Sequence, residues 1–230
     1  MTGDHQRLKD VTTPYTKHYP YSWNVFDLAK TAYEPGHKEA CMNLIERLYY
    51  NVNSKIPSNG LTLFLCACLS GDKELIMFML KRGADVRHTT NVGDTALYLA
   101  TFGVLSSSHP DVSVLREIIC SGCPVNGANL AGYTALHRAA GHGNLQVIQT
   151  LMNYGADPCK ASASGIYPMD SAINAGHLEA AKLLEIPMPN PHVWDIVDHH
   201  TPPHISLGLQ SPQRKHLIES TRRMMSPRVM

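Results

Sequence analysis

The sequence predicts an all-α protein, a solenoid of stacked helix-turn-helix units joined by short hairpin-like turns. Three observations predict it. The form G-x-T recurs at Gly60-Leu61-Thr62, Gly93-Asp94-Thr95 and Gly132-Tyr133-Thr134, with Gly165-Ile166-Tyr167 in the same frame, at glycine intervals of 33, 39 and 33 residues. A second series closes each unit: GADVR at Gly83, GCPVN at Gly122 and GADPC at Gly155, with intervals of 39 and 33. Between these marks apolar residues fall at i, i+1, i+4 and i+5, the spacing of one helix face. They are Leu75, Ile76, Met79 and Leu80, then Val114, Leu115, Ile118 and Ile119, then Val147, Ile148, Leu151 and Met152. One such helix pair cannot bury its apolar face alone, whereas stacked copies can.

In chain order, residues 1–22 are an N-terminal extension and 23–56 a degenerate capping unit. That unit keeps a helical face in Leu44, Ile45, Leu48 and Tyr49 but lacks the closing glycine motif, as suits an end whose outer side meets water. Full units follow at 57–89, 90–128, 129–161 and 162–194. Within each, Thr62, Thr95 or Thr134 stands where an N-cap is needed, because its hydroxyl can accept from an unpaired backbone N–H. Gly71, Gly143 and Gly176 close the first helix, and Gly83, Gly122 and Gly155 the second, at positions where a left-handed backbone costs glycine least. The first helix carries small inward residues such as Ala139 and Ala140, which let backbones approach closely. The second unit in the 33/39 register carries an insertion, VLSSSHP at Val104–Pro110, expected to lengthen the connection between its two helices at little cost. In the last unit the face reads Ala180, Ala181, Leu184 and Glu185, and the charge marks the end of the stack or a surface covered by the tail.

The stretch GYTALHRAAGHGNLQVIQTLMNYGADPCK, from Gly132 to Lys160, resembles an ankyrin repeat. Thr134-Ala-Leu-His137 stands for the family's T-P-L-H, Gly143 for its inner glycine and Gly155-Ala-Asp157 for its G-A-D. The resemblance implies that His137 makes structural hydrogen bonds at the loop between repeats. Tyr98, Leu65 and Asp170 fill the same slot in other units, a variety that argues against a repeated active site.

Composition excludes several functions. Lys plus Arg number 20 against 19 Asp plus Glu, so overall charge recruits neither nucleic acid nor an anionic membrane. No apolar run approaches the roughly 20 residues that cross a bilayer, and no secretory signal is read at the N-terminus. The expected location is intracellular, cytoplasmic and/or nuclear. Six cysteines then read as structural thiols, including Cys120 and Cys123, which have the spacing of half a zinc site or a redox pair but no second pair. His192, His199, His200 and His204 lie in a proline-broken loop, a poor frame for one ion. No metal and no cofactor is expected. No phosphate loop, nucleophile elbow or paired carboxylates are found, so an enzyme is not expected either.

Residues 195–230 are a Pro/His-rich linker and a basic tail. Trp194, Ile196 and Val197 are candidates for a lid on the last repeat, and Ser211-Pro212 for a helix start. KHLIESTRR, at Lys215–Arg223, resembles a fragment of the suppressor-of-cytokine-signalling box that follows ankyrin repeats in some ubiquitin-ligase substrate receptors. It differs from the box in Ile218, where the box has Cys, and in Arg214, where it has an apolar residue. The resemblance implies elongin B/C as partners.

The ankyrin resemblance also implies where a partner protein would bind, namely the turn tips and the exposed side of the first helices, which form a concave face. Transferred by position, it selects Leu61, Asn91, Asp94, Thr101, Phe102, Leu130, Tyr133, Arg138, His142 and Ile166. Phe102 and Tyr133 lead because aromatic anchors dominate interface energetics. The expected function is that of a noncatalytic interaction module or adaptor, with a ubiquitin-ligase substrate-recognition subunit as the alternative.

Overall fold

A computed structural model describes residues 24–107 and 110–185. Among these are ten helices: α1 Val25–Lys30, α2 His37–Leu48, α3 Leu63–Ser70, α4 Lys73–Lys81, α5 Ala96–Ser106, α6 Ser113–Cys120, α7 Ala135–His142, α8 Leu145–Asn153, α9 Pro168–Asn174 and α10 Leu178–Leu184. Extended pairing among the described residues is limited to single bridges, Lys55 with Thr62, Thr89 with Thr95 and Ala128 with Thr134, which close the hairpin turns. The protein is an all-α repeat solenoid. None of its described helices is long and apolar enough to cross a membrane.

Local chemistry places the helix starts. The hydroxyls of Thr62, Thr95 and Thr134 accept from the backbone N–H of Leu65, Tyr98 and His137, three residues on. The second helices use carboxylate and amide caps that the periodicity did not single out, Asp72 Oδ1 accepting from Leu75 N at 2.8 Å and Asn144 Oδ1 from Val147 N at 3.0 Å. Gly71 and Gly143 end α3 and α7 in the left-handed conformation.

Packing then builds two layers. First helices stack in succession, α1 on α3, α3 on α5, α5 on α7 and α7 on α9; in the second layer α2 packs on α4, α4 on α6 and α8 on α10. Leu75, Ile76 and Met79 of α4, Val114, Leu115 and Ile118 of α6, and Val147, Ile148 and Leu151 of α8 are buried, as the periodicity predicts. Each such side chain removed from water contributes about 1.5–3 kcal/mol. The turn tips are joined by a backbone ladder, Asn91 N–H donating to Asn59 O at 2.9 Å, Leu130 N–H to Val92 O at 3.0 Å and Ala163 N–H to Ala131 O at 3.0 Å.

Two expectations are corrected. In α2 the buried residues are Cys41 and Ile45, while Leu48 and Tyr49 face solvent, Tyr49 at 89% exposure. The helix ends at Leu48, and Tyr49 takes the left-handed cap conformation (φ 51°), which carries its side chain off the inner face. The insertion is not simply a polar connection. α5 runs for 11 residues where α3 and α7 have 8, and Val104 and Leu105 are buried within it. Its first residues extend the helix because their apolar side chains find a place in the core.

Candidate partner-binding site

The described repeats give four columns in register, one residue from each unit. Leu61, Asp94, Tyr133 and Ile166 precede the helix cap; Leu65, Tyr98, His137 and Asp170 form the second column. Cys66, Leu99, Arg138 and Ser171 form the third, and Leu69, Phe102, Gly141 and Asn174 the fourth. The site lies where the columns of α5, α7 and α9 meet.

His137 organises its base. Thr134 N–H donates to Nδ1 at 3.1 Å, so this nitrogen carries no proton, and Nε2–H donates to Ile166 O at 3.0 Å across the repeat junction. The ring is therefore the neutral Nε2–H tautomer. Burial holds its pKa below the ordinary imidazole value, with the Ile166 bond opposing the shift. His137 in turn supports Tyr133, whose ring meets it edge to face at 5.2 Å between centroids. Both nitrogens are occupied by structural bonds, which leaves His137 nothing with which to move a proton or hold an ion.

Arg138 projects from the next position on α7. Its guanidinium carbon lies 4.9 Å from the ring centroid of Tyr98 and 4.9 Å from that of Phe102, one helix back. Among the described residues it has no ion pair, and its buried Nε has no acceptor. The neighbouring carboxylates are engaged elsewhere. Asp94 Oδ1 accepts from Asn129 Nδ2 at 2.9 Å, and Asp170 Oδ2 from Tyr167 N at 2.9 Å, although Asp170 Oδ1 is buried without a partner. At Gly141 the fourth column lacks the side chain that Phe102 and Asn174 supply in their units. A recess of about 310 Å³ results, lined by Tyr98, Tyr133, His137, Arg138, Gly141, His142 and Ser171.

Of the sequence-selected residues, Tyr133, Arg138 and His142 thus come together, with Phe102 joined through Arg138. Phe102 is 38% exposed, and at the turn tips Leu130 is 77% and Val92 58% exposed. Asn91 is exposed, its Nδ2 donating to Pro57 O at 3.3 Å. Leu61, Asp94 and Ile166 are half-buried at the feet of the turns. Thr101 is removed from the face: it is fully buried, and its hydroxyl donates to Leu97 O at 2.8 Å. A polar residue on the exposed-looking side of a helix is drawn inward here because the helix supplies its own acceptor one turn back. Sequence reasoning missed Gly141 and Ser171, and it read Tyr98 only as the counterpart of His137. The fourth column carries the missed signal, a glycine inside a helix where adjacent units have large side chains. Trp194, the histidines at 192, 199, 200 and 204, and the basic tail lie outside the described residues.

Capped helix pairs, laddered turn tips and an open recess in place of an enclosed cleft define a helical repeat protein. Residues 103–188 match the family model described as ankyrin repeats (3 copies), so this segment of the chain is similar to ankyrin repeats. Relatives agree. The chain is 29% identical over 168 residues to the tyrosine-protein kinase Shark of Drosophila melanogaster, covering 73% of this chain and 17% of the kinase. It is 31% identical over 111 residues to ankyrin repeat and SOCS box protein 16 of Mus musculus, 47% of this chain and 24% of that one. An ankyrin repeat protein of fowlpox virus is 27% identical over 148 residues, 63% of this chain and 97% of the viral protein. The chain therefore spans under a quarter of the kinase's length and about a quarter of the mouse protein's.

Proposed function

We propose that this chain is a noncatalytic intracellular adaptor that binds a partner protein on the concave face formed by its turn tips and first helices. The observation that carries this reading is the exposure of Val92 and Leu130 on turn tips that the inter-repeat ladder ties together, and of Phe102 on α5. Apolar side chains presented on a preorganised frame lose little entropy when a partner covers them. The test is affinity purification with mass spectrometry, comparing the intact protein with a Phe102→Ala/Tyr133→Ala double variant that retains its helical circular dichroism. Partners retained by the first and lost by the second are expected; an identical partner list from both removes the face from the proposal.

A second reading has its own observation, the likeness of Lys215–Arg223 to a suppressor-of-cytokine-signalling box downstream of the repeats. A relative whose name joins ankyrin repeats to a SOCS box supports it. On this reading the tail recruits elongin B/C and the stack selects a substrate for a ubiquitin ligase. Copurification of elongin B and C with the full chain, abolished by deleting residues 205–230, is the expected result. Their absence from the full-length preparation rejects this reading and leaves the first intact.

A further inference from the structure

We propose that the recess between Tyr98, Tyr133, Arg138 and Gly141 receives the carboxylate side chain of an Asp or Glu in an extended partner segment, with apolar neighbours of that residue resting on Val92 and Leu130. The inference rests on the reading of this face as the partner surface and specifies the chemistry that the partner brings.

The recess is one-sided in its chemistry. Among the described residues no carboxylate lines it, whereas Arg138, His142, Tyr98 and Tyr133 bring donor groups to it, and the buried Arg138 Nε has no acceptor. Ser171 adds no free donor, since its hydroxyl is directed to Tyr167 O at 3.3 Å. Neither Asp94 nor Asp170 forms an ion pair with Arg138: Asp94 accepts from Asn129, and Asp170 from the Tyr167 amide. Asp170 retains one unpartnered oxygen, which adds negative potential nearby but forms no ion pair with Arg138. A guanidinium with an idle fork of N–H groups is most strongly satisfied by a planar carboxylate, which it meets with two parallel bonds. Tyr98 and Phe102 supply what a surface arginine usually lacks: their rings fix the side chain before the partner arrives, so little rotamer entropy remains to be lost.

Gly141 provides the space. A Cβ built there meets only Ser171 Cβ and O, both at 3.9 Å, so packing does not require glycine at this helix position. Its φ is not positive, so backbone conformation does not require it either. What a larger residue would remove is the recess.

The probe is a library of phage-displayed random dodecapeptides selected on the full chain. Selected peptides are then synthesised and measured by fluorescence anisotropy. Enriched sequences are expected to share an Asp or Glu at one fixed place flanked by apolar residues. Replacing that acid by its amide should weaken binding about tenfold against the native protein and change little against Arg138→Gln, the pattern of a direct charge pair. Gly141→Leu, with its melting temperature checked, should weaken the same peptide without removing a charge. Peptides that bind this face and compete with one another but share no acid, or an acid whose loss costs the same with Arg138→Gln, overturn the proposal while the partner surface stands. A phosphoserine that binds where glutamate does not reassigns the recess to phosphate and overturns it too. If peptides are enriched but none depends on Phe102, Tyr133 or Arg138, the concave-face reading fails and the proposal fails with it.

Discussion

Gly103 in α5 meets Gly71 at the end of α3 backbone to backbone: a Cβ built on Gly103 would lie 2.6 Å from Gly71 N and 2.7 Å from Cys68 O. Neither atom can move without disturbing the helix end. Gly103→Ala is therefore expected to cost about 1–3 kcal/mol although alanine is the better helix former. Urea denaturation gives the answer, and a variant as stable as the native protein would mean that the two helices can separate freely.

Gly141, also inside a helix, predicts the opposite sign. Its surroundings accept a methyl group at ordinary contact distance. Gly141→Ala should raise stability by about 0.5–1 kcal/mol through reduced backbone entropy of the unfolded chain. An unchanged or lowered urea midpoint would show that packing does demand the glycine.

The His137 hydrogen bonds set a pH dependence. Its folded pKa lies below the ordinary imidazole value because burial penalises the imidazolium, and protonation would also set an N–H against the Thr134 amide. Below its ordinary pKa the unfolded chain binds a proton that the folded chain resists. This contribution is complete above the unfolded value and declines as pH falls through and below it. Thermal melts from about pH 7.5 to about pH 5 should show the native protein losing more stability than His137→Gln, which cannot titrate. Parallel losses in both would assign the pH dependence to other groups.

Asn126 clasps two repeats: its Nδ2 donates to Gly155 O at 3.0 Å and its Oδ1 accepts from Asp157 N at 2.8 Å. Asn53 makes the same pair of bonds to Gly83 O and Asp85 N. Asn126→Ala should cost about 1–2 kcal/mol, limited because water reaches the released groups. Faster hydrogen exchange at the Asp157 amide is the local signature; protection equal to that of the native protein would show the clasp to be idle.

Thiol reactivity should divide the six cysteines sharply. Cys120 and Cys159 are exposed, whereas Cys41, Cys66, Cys68 and Cys123 are buried. Burial pushes the Cys41 and Cys66 thiols up to about 12 and raises those of Cys68 and Cys123 as well. Iodoacetamide at neutral pH is expected to label two positions rapidly and the other four only after denaturation. Prompt labelling of Cys66 or Cys68, located by peptide mapping, would reveal that the first helices part in solution.

What the sequence determined by itself is everything that one unit encodes within its own length. The Thr134 cap, the left-handed ends at Gly71 and Gly143, and the buried faces of α4, α6 and α8 follow from backbone preference and helical spacing, which need no neighbour to act. The family likeness rested on the same local marks. What only the tertiary structure decided is where individual side chains settle and what lies beside them. Thr101 turned inward, Leu105 joined the core, and Tyr49 was carried into solvent, each against the reading of its own unit. Arg138 is the clearest case. Its position was legible, but its lack of an acid partner and its placement over Tyr98 and Phe102 come from a helix 39 residues earlier in the register, while the gap beside it comes from glycine at position 141. Stacking sets those contacts, because each helix pair completes its surface only against the next.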